Sequence, residues 1–186
     1  MVTEKLDGSL VCLHRGDVFL RSMDAPSSAP WLAMVRKHHA WKLAAAPDLA
    51  IYGEDLYGIH SIEYAPMAEA DTFRVFGVRA RIGGRDRFVD WEGVEAAAAQ
   101  RDLPVVPVVF RGSFPSVDAV TAFFESEIQR PSRVGGPDCE GFVLRDADAF
   151  EADQFSRAVV KYVRPNHVQT DRHWTRHWRR AALRPA

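Results

Sequence analysis

The sequence predicts an α+β fold built on antiparallel sheets. Apolar, strand-like runs are numerous, and most are joined by tight turns carrying Gly, as hairpins are. Helical stretches fall between them irregularly, without the strand–helix alternation of a doubly wound parallel sheet. The 186 residues, 47% hydrophobic and 26% charged, suffice for one domain with a real core, with no low-complexity tract, repeat or linker to divide it.

In order, Val2–Lys5 reads as a short strand closed by a turn at Asp7-Gly8-Ser9. Leu10–Leu13 and Val18–Arg21 form a hairpin across His14–Asp17, with Gly16 in the turn. Ala25–Pro30, rich in Pro and Ser, is a loop. A helix follows, because Trp31, Met34, Val35 and Trp41 recur on one face while Arg36, Lys37 and Lys42 point elsewhere. Asp48–Tyr57 is a buried strand containing Gly53. Thr72–Ile82 and Arg87–Asp90 form a hairpin around Gly83-Gly84, and Trp91–Gln100 is an Ala-rich helix. Val105–Phe110 is a strand between prolines. Ser116 caps a helix whose Val117, Val120, Phe123 and Phe124 make one apolar stripe. The loop Gly135-Gly136-Pro137 delivers the strand Glu140–Arg145, Ala158–Val163 is the last strand, and Arg172–Leu183 is a terminal helix.

Composition narrows the function classes. No apolar run is long enough to span a bilayer and no signal-peptide core opens the chain, so a cytoplasmic setting is expected. Cys12 and Cys139 are too few for a disulfide scaffold. A net charge of −1 is not that of a protein that coats nucleic acid. The charge is uneven, however. From Lys161 onward the basic residues Arg164, Arg172, Arg176, Arg179, Arg180 and Arg184 face one acid, Asp171. That segment, about 166–186, can follow a phosphate backbone, or it can be a solvated amphipathic helix.

The segment with the most chemistry is Glu4-Lys5-Leu6-Asp7-Gly8-Ser9. A lysine at a strand end, followed by an Asp-Gly turn, presents its amine in a fixed pose. Protonated, that amine is a poor nucleophile; neighbouring cations, a metal or partial burial free it for covalent catalysis. Taken alone the pattern is weak, and an ordinary turn with a solvated lysine fits it. Other segments follow in order: Tyr52-Gly53-Glu54, the strand Phe73–Arg79 bearing Phe76, Glu140–Arg145, and Val159-Val160-Lys161-Tyr162-Val163-Arg164. Together these five segments, from Glu4 to about Trp174, resemble the RNA ligase branch of the covalent nucleotidyltransferases, which also include DNA ligases and mRNA capping enzymes.

The resemblance implies a nucleotidyltransferase domain with antiparallel sheets flanked by helices and a nucleotide groove between them. It implies ATP, Mg²⁺ or Mn²⁺, and RNA ends as substrate. Lys5 would be the nucleophile and Lys161 a lysine on the α-phosphate. Glu4 would lie against the adenine, Arg21 at the phosphate or ribose, Glu54 on the ribose hydroxyls and Phe76 under the base. Glu140 would help hold the metal. A base stacked on Phe76 would gain about 1–3 kcal/mol. Unaided by the resemblance, Glu54 can equally pair with an arginine and Phe76 can equally be core. Lys161 differs, because a charge among Val159, Val160 and Val163 is costly unless something anionic waits there.

Two positions depart from the family pattern. Its last motif has a second lysine where this chain has Val163; Arg164 is the nearest other charge, although adjacent strand residues point to opposite faces. Only four residues precede Lys5, where relatives have a segment beside the nucleotide. About twenty residues follow Arg164, too few for the OB-fold that DNA ligases and capping enzymes append, which favours the RNA-ligase branch. The segment Asn166–Asp171 with Trp174 looks like an ending found in some of its members. The alternatives are a non-catalytic module that binds nucleotide or RNA ends, a capping-type guanylyltransferase, or a DNA ligase fragment. A monomer is expected. His173 and His177 lie at helical spacing, but no acid sits between them as in a zincin motif and no third ligand is evident.

Overall fold

The computed structural model describes residues 1–165, 167 and 177–185. It is α+β, and the named strands of the described residues all pair antiparallel. One sheet has four strands: β1 (Val2–Lys5), β8 (Val108–Phe110), β9 (Gly141–Arg145) and β11 (Val159–Val163), in the order β11-β9-β1-β8. The other has six: β2 (Ser9–His14), β3 (Asp17–Phe19), β4 (Leu49–Asp55), β6 (Phe73–Ile82), β7 (Arg85–Phe88) and β10 (Phe150–Glu151), in the order β10-β7-β6-β4-β2-β3. A ribbon joins β5 (Gly58–Ile59) to β12 (Arg179–Arg180).

The helices are short. α1 (Ala33–His38) lies between two 3₁₀ turns, Pro30–Leu32 and Ala40–Leu43. The sequence expectation of one helix with Trp31 and Trp41 on a common buried face is therefore corrected. The 3₁₀ turns change the rotation per residue, and Trp41 is left 66% exposed. α2 (Trp91–Ala99) is capped by Asp90, whose Oδ1 accepts from the Gly93 amide at 2.8 Å. α3 (Val117–Glu127) is capped by Ser116, as expected, at 3.2 Å from the Ala119 amide. Of its predicted stripe, Phe124 is buried whereas Val117 is 80% exposed. A single turn, α4 (Phe155–Ala158), leads into β11.

Two further expectations are corrected. The hairpin strand predicted to reach Arg21 ends at Phe19, so Arg21 lies in a turn. The predicted terminal helix is not helical in its described part: Arg179 and Arg180 pair with Ile59 and Gly58, and Leu183 bridges Met67. Backbone pairing with β5 satisfies these residues' amides and carbonyls, which outweighs their helical spacing.

Two apolar clusters result. The larger packs the inner face of the six-stranded sheet, including Val11, Leu13, Ile51 and Phe73, against Leu32, Val35 and Leu43. The smaller packs Val2 and Phe142 against Phe124 of α3. Between the sheets, Arg145 is the main polar tie. It is buried, and donates to Phe76 O at 3.3 Å and Val89 O at 3.1 Å. Its guanidinium also lies over the rings of Trp91 and Phe150. Among the described residues, no helix is long and apolar enough to cross a membrane.

Candidate functional site

Register determines which side chains of the four-stranded sheet share a face. Lys5 stands opposite Gly141, which stands opposite Val163; Thr3 stands opposite Val143, which stands opposite Lys161. Directly opposed residues lie on the same face and alternate ones follow. Lys5, Lys161 and Val163 therefore share one face, that of Arg145, which reaches the second sheet. Gly141 is required in this row: a Cβ there would sit 2.0 Å from the Tyr162 carbonyl oxygen.

Lys5, with its side chain 26% exposed, makes an ion pair and hydrogen bond with buried Glu140. Glu54 at the end of β4 adds a second carboxylate beside it. Burial pushes Glu54 up to about 8, with the Lys5 charge pulling it down and Glu140 raising it. Burial also lifts Glu140 above the usual carboxylate range, again against the pull of Lys5. The Asp-Gly turn holds the group together. Glu54 accepts from the Gly8 amide at 3.1 Å, and a Cβ on Gly8 would meet the Asp55 carbonyl oxygen at 2.4 Å. Asp7 Oδ2 accepts from the amides of Ser61 and Ile62, both at 2.7 Å, and the Asp7 amide donates to the Tyr64 hydroxyl at 2.7 Å.

The site thus unites Lys5, Glu54 and Glu140 from three distant stretches of chain. Lys161 shares their face, but the reason given for it from sequence is corrected. β11 is an edge strand, and Val160, Lys161 and Val163 are all exposed, so no buried charge demands a partner. Phe76 is the extra residue of a bulge, because Tyr52 pairs with Gly77 and Gly53 with Val75; it is half-buried against the larger core.

Other candidates stand apart. The Glu4 carboxylate lies on the opposite face of β1. It accepts from Ser132 Oγ at 2.5 Å and from the Arg133 amide at 2.9 Å, so the side chain is committed within the fold. Arg21 is exposed beyond the edge strand β3. The Arg164 guanidinium pairs with Asp138 at 3.1 Å and so does not take the place of a lysine at position 163. Arg179 and Arg180 are exposed on β12, Arg179 at 3.6 Å from Glu63. Arg172 and Arg176 lie outside the described residues.

The sequence gives no site role to Asp7 or His167, although each lies in a segment singled out above. Asp7 in the sequence is simply part of the Asp-Gly turn after Lys5. His167 is buried, with Nε2 3.3 Å from Asp7 Oδ1 and 3.8 Å from Glu140 Oε1. No periodicity or spacing marks it, since it follows β11 and returns to the site only through the fold. Asp7, Glu140 and His167 each offer a ligand atom within 4.8 Å of the others, and Glu140 Oε2 is buried with no hydrogen-bond partner among the described residues. A hard divalent cation seeks such carboxylate oxygens, so the residues present fit the metal that the resemblance implies.

Residues 1–163 match the family model described as RNA ligase. In fold, the chain is similar to a mutant Naegleria gruberi RNA ligase solved with ATP and Mn, at a TM-score of 0.53 and 20% identity. The match covers 81% of this chain and 47% of that one, so the chain spans about half the length of that ligase. No curated protein matches.

Proposed function

The chain belongs to the RNA ligase family, and from that premise we propose that it is an ATP-dependent RNA ligase in which Lys5 accepts AMP from ATP. The observation that carries the reading is the Lys5 amine paired with Glu140, beside Glu54 and on the same face of the sheet as Lys161 and Arg145.

Each residue has a task in the proposed reaction. Lys5, having given its proton to solvent, attacks the α-phosphorus; a nitrogen–phosphorus bond forms, the bond to the bridging oxygen breaks, and pyrophosphate leaves. Lys161 steadies the negative charge that spreads over the phosphoryl oxygens. Glu54 takes the ribose hydroxyls and Phe76 the base. Glu4, through its bonds to Ser132 and Arg133, positions β1 and hence Lys5. Asp7 and Glu140 would hold Mg²⁺ or Mn²⁺, which when bound would neutralise phosphate charge. An oxygen of the RNA 5′-phosphate then attacks the adenylyl phosphorus and breaks its bond to Lys5. Finally an RNA 3′-hydroxyl, giving up its proton to solvent, attacks the activated 5′-phosphate; the phosphodiester forms as the bond to AMP breaks and AMP leaves. Arg164, Arg172, Arg176, Arg179 and Arg180 would engage the RNA backbone.

Covalent labelling tests this. Incubation with α-labelled ATP and Mg²⁺ or Mn²⁺, followed by denaturation, should leave label on the protein, and Lys5→Ala should leave none. Label retained by Lys5→Ala would remove Lys5 from the role. Label from GTP instead of ATP would point to capping chemistry. No label from either nucleotide, in folded protein freed of bound AMP, would replace the ligase reading with a non-catalytic binding module.

A further inference from the structure

We propose that His167 is a direct ligand, with Asp7 and Glu140, of a divalent cation, and that its imidazole makes the site favour Mn²⁺ over Mg²⁺. The inference concerns the same groove as the ligase reading, but the site can be loaded and measured without nucleotide.

Four observations point there. The His167 side chain is only 4% exposed, and among the described residues neither ring nitrogen has a hydrogen-bond partner. Its Nε2 nevertheless faces Asp7 Oδ1 at 3.3 Å and Glu140 Oε1 at 3.8 Å. One ion with bonds of about 2.1 Å brings its ligand atoms to roughly 3–4 Å of one another, close to this spacing. Glu140 Oε2 is likewise buried and has no hydrogen-bond partner among the described residues. Buried polar atoms left without partners are costly, and a shared cation bound by His167 Nε2 and a Glu140 oxygen lowers that cost at both residues.

The donor set gives the preference. Mg²⁺ takes oxygen ligands and keeps much of its water, whereas imidazole suits first-row transition ions, which bind nitrogen more strongly. One nitrogen with two carboxylate oxygens therefore suits Mn²⁺ better than Mg²⁺. Asp7 is already oriented for such a role, because its other oxygen is held by the Ser61 and Ile62 amides. Lys5 acts as a competitor, since its ammonium bonds the same Glu140 oxygen that faces His167. Removing that ammonium should tighten cation binding, while removing His167 should weaken it.

The experiment uses the full chain, free of nucleotide, with MnCl₂ or MgCl₂ alone. Titration should give one Mn²⁺ per chain. His167→Asn should weaken Mn²⁺ binding about 10–100-fold and change Mg²⁺ binding less than about threefold. Lys5→Met should tighten Mn²⁺ binding. Pulsed EPR of the Mn²⁺-loaded protein should show a directly bonded nitrogen whose coupling changes on ¹⁵N-histidine labelling. It should persist in His60→Asn and vanish in His167→Asn. The labelled wild type gives its answer even if a variant does not fold. Absence of nitrogen coupling in the wild type, or unchanged Mn²⁺ affinity in folded His167→Asn, would overturn the proposal. Lysine labelling by ATP without nitrogen coupling would leave the ligase reading standing. Nitrogen coupling without labelling would keep the metal site and remove the ligase.

Discussion

His39 shows how a residue away from the groove makes the whole protein pH-sensitive. It is fully buried; its Nε2 bonds the Ala70 carbonyl at 2.8 Å and its ring packs on Phe73. Burial lowers its pKa from 6.5 to about 4, an effect the Ala70 carbonyl partly opposes. Because the folded value is depressed, the unfolded chain binds the proton first. The stabilisation is complete above about 6.5 and is lost as pH falls toward 4, by on the order of 3 kcal/mol. Asp55 has the opposite slope: burial raises it from 3.8 to about 8, so its contribution is lost as pH rises through that range. The two are separable by difference. Chemical denaturation from pH 4 to 8 should show the wild type losing stability, relative to His39→Gln, as pH drops below 6.5. A constant difference across that range would mean that His39 is not held neutral by the fold.

At the scale of elements, the decisive feature is how the two sheets are tied. Arg145 at the end of β9 donates across the gap to Phe76 in the bulge of β6 and to Val89 after β7. The two sheets are thus joined by a fixed buried fork, and Lys5 lies two strand positions along the same face from Thr3. Arg145→Met should cost about 2–4 kcal/mol, since it strips donors from buried carbonyls and leaves a looser interface. Arg145→Lys should recover little of this, because a single ammonium cannot reach both carbonyls as a planar fork does. Urea denaturation with an unchanged m-value would check both. Near-wild-type stability of Arg145→Met would mean that apolar packing alone holds the sheets.

For the whole molecule, the basic C-terminal stretch is the feature that reaches beyond the groove. Its described end returns to the body as β12, paired with β5, and Leu183 bridges Met67. Arg179 and Arg180 are thereby exposed on the segment after His167, which itself touches the site. If these arginines neutralise phosphates, Arg179→Ala with Arg180→Ala should weaken RNA binding. It should also reduce the slope of log K against log salt by about 1–2, with lysine labelling by ATP preserved. Equal loss of RNA binding and labelling would show damage to the fold rather than loss of phosphate contacts.

The sequence by itself determined the α+β class, most strands to within a residue or two, the caps at Ser116, and the ordered segments around Lys5, Glu54, Phe76, Glu140 and Lys161. Those features are local: hairpin periodicity, turn glycines and short motifs are written in neighbouring residues. Only the tertiary structure decided which of them meet. Strand register brought Lys5, Gly141 and Val163 into one row, sent the Glu4 carboxylate to the other face, and made β11 an exposed edge, so that Lys161 carries no buried charge. The 3₁₀ turns around α1 and the pairing of Arg179–Arg180 with β5 likewise overrode helical spacing. Most of all, the tertiary structure brought His167 beside Asp7 and Glu140, a meeting of residues more than twenty positions apart that no local pattern encodes. Such contacts depend on long-range pairing, whose free energy comes from burial and hydrogen bonding across the fold rather than from the intrinsic preference of any one segment.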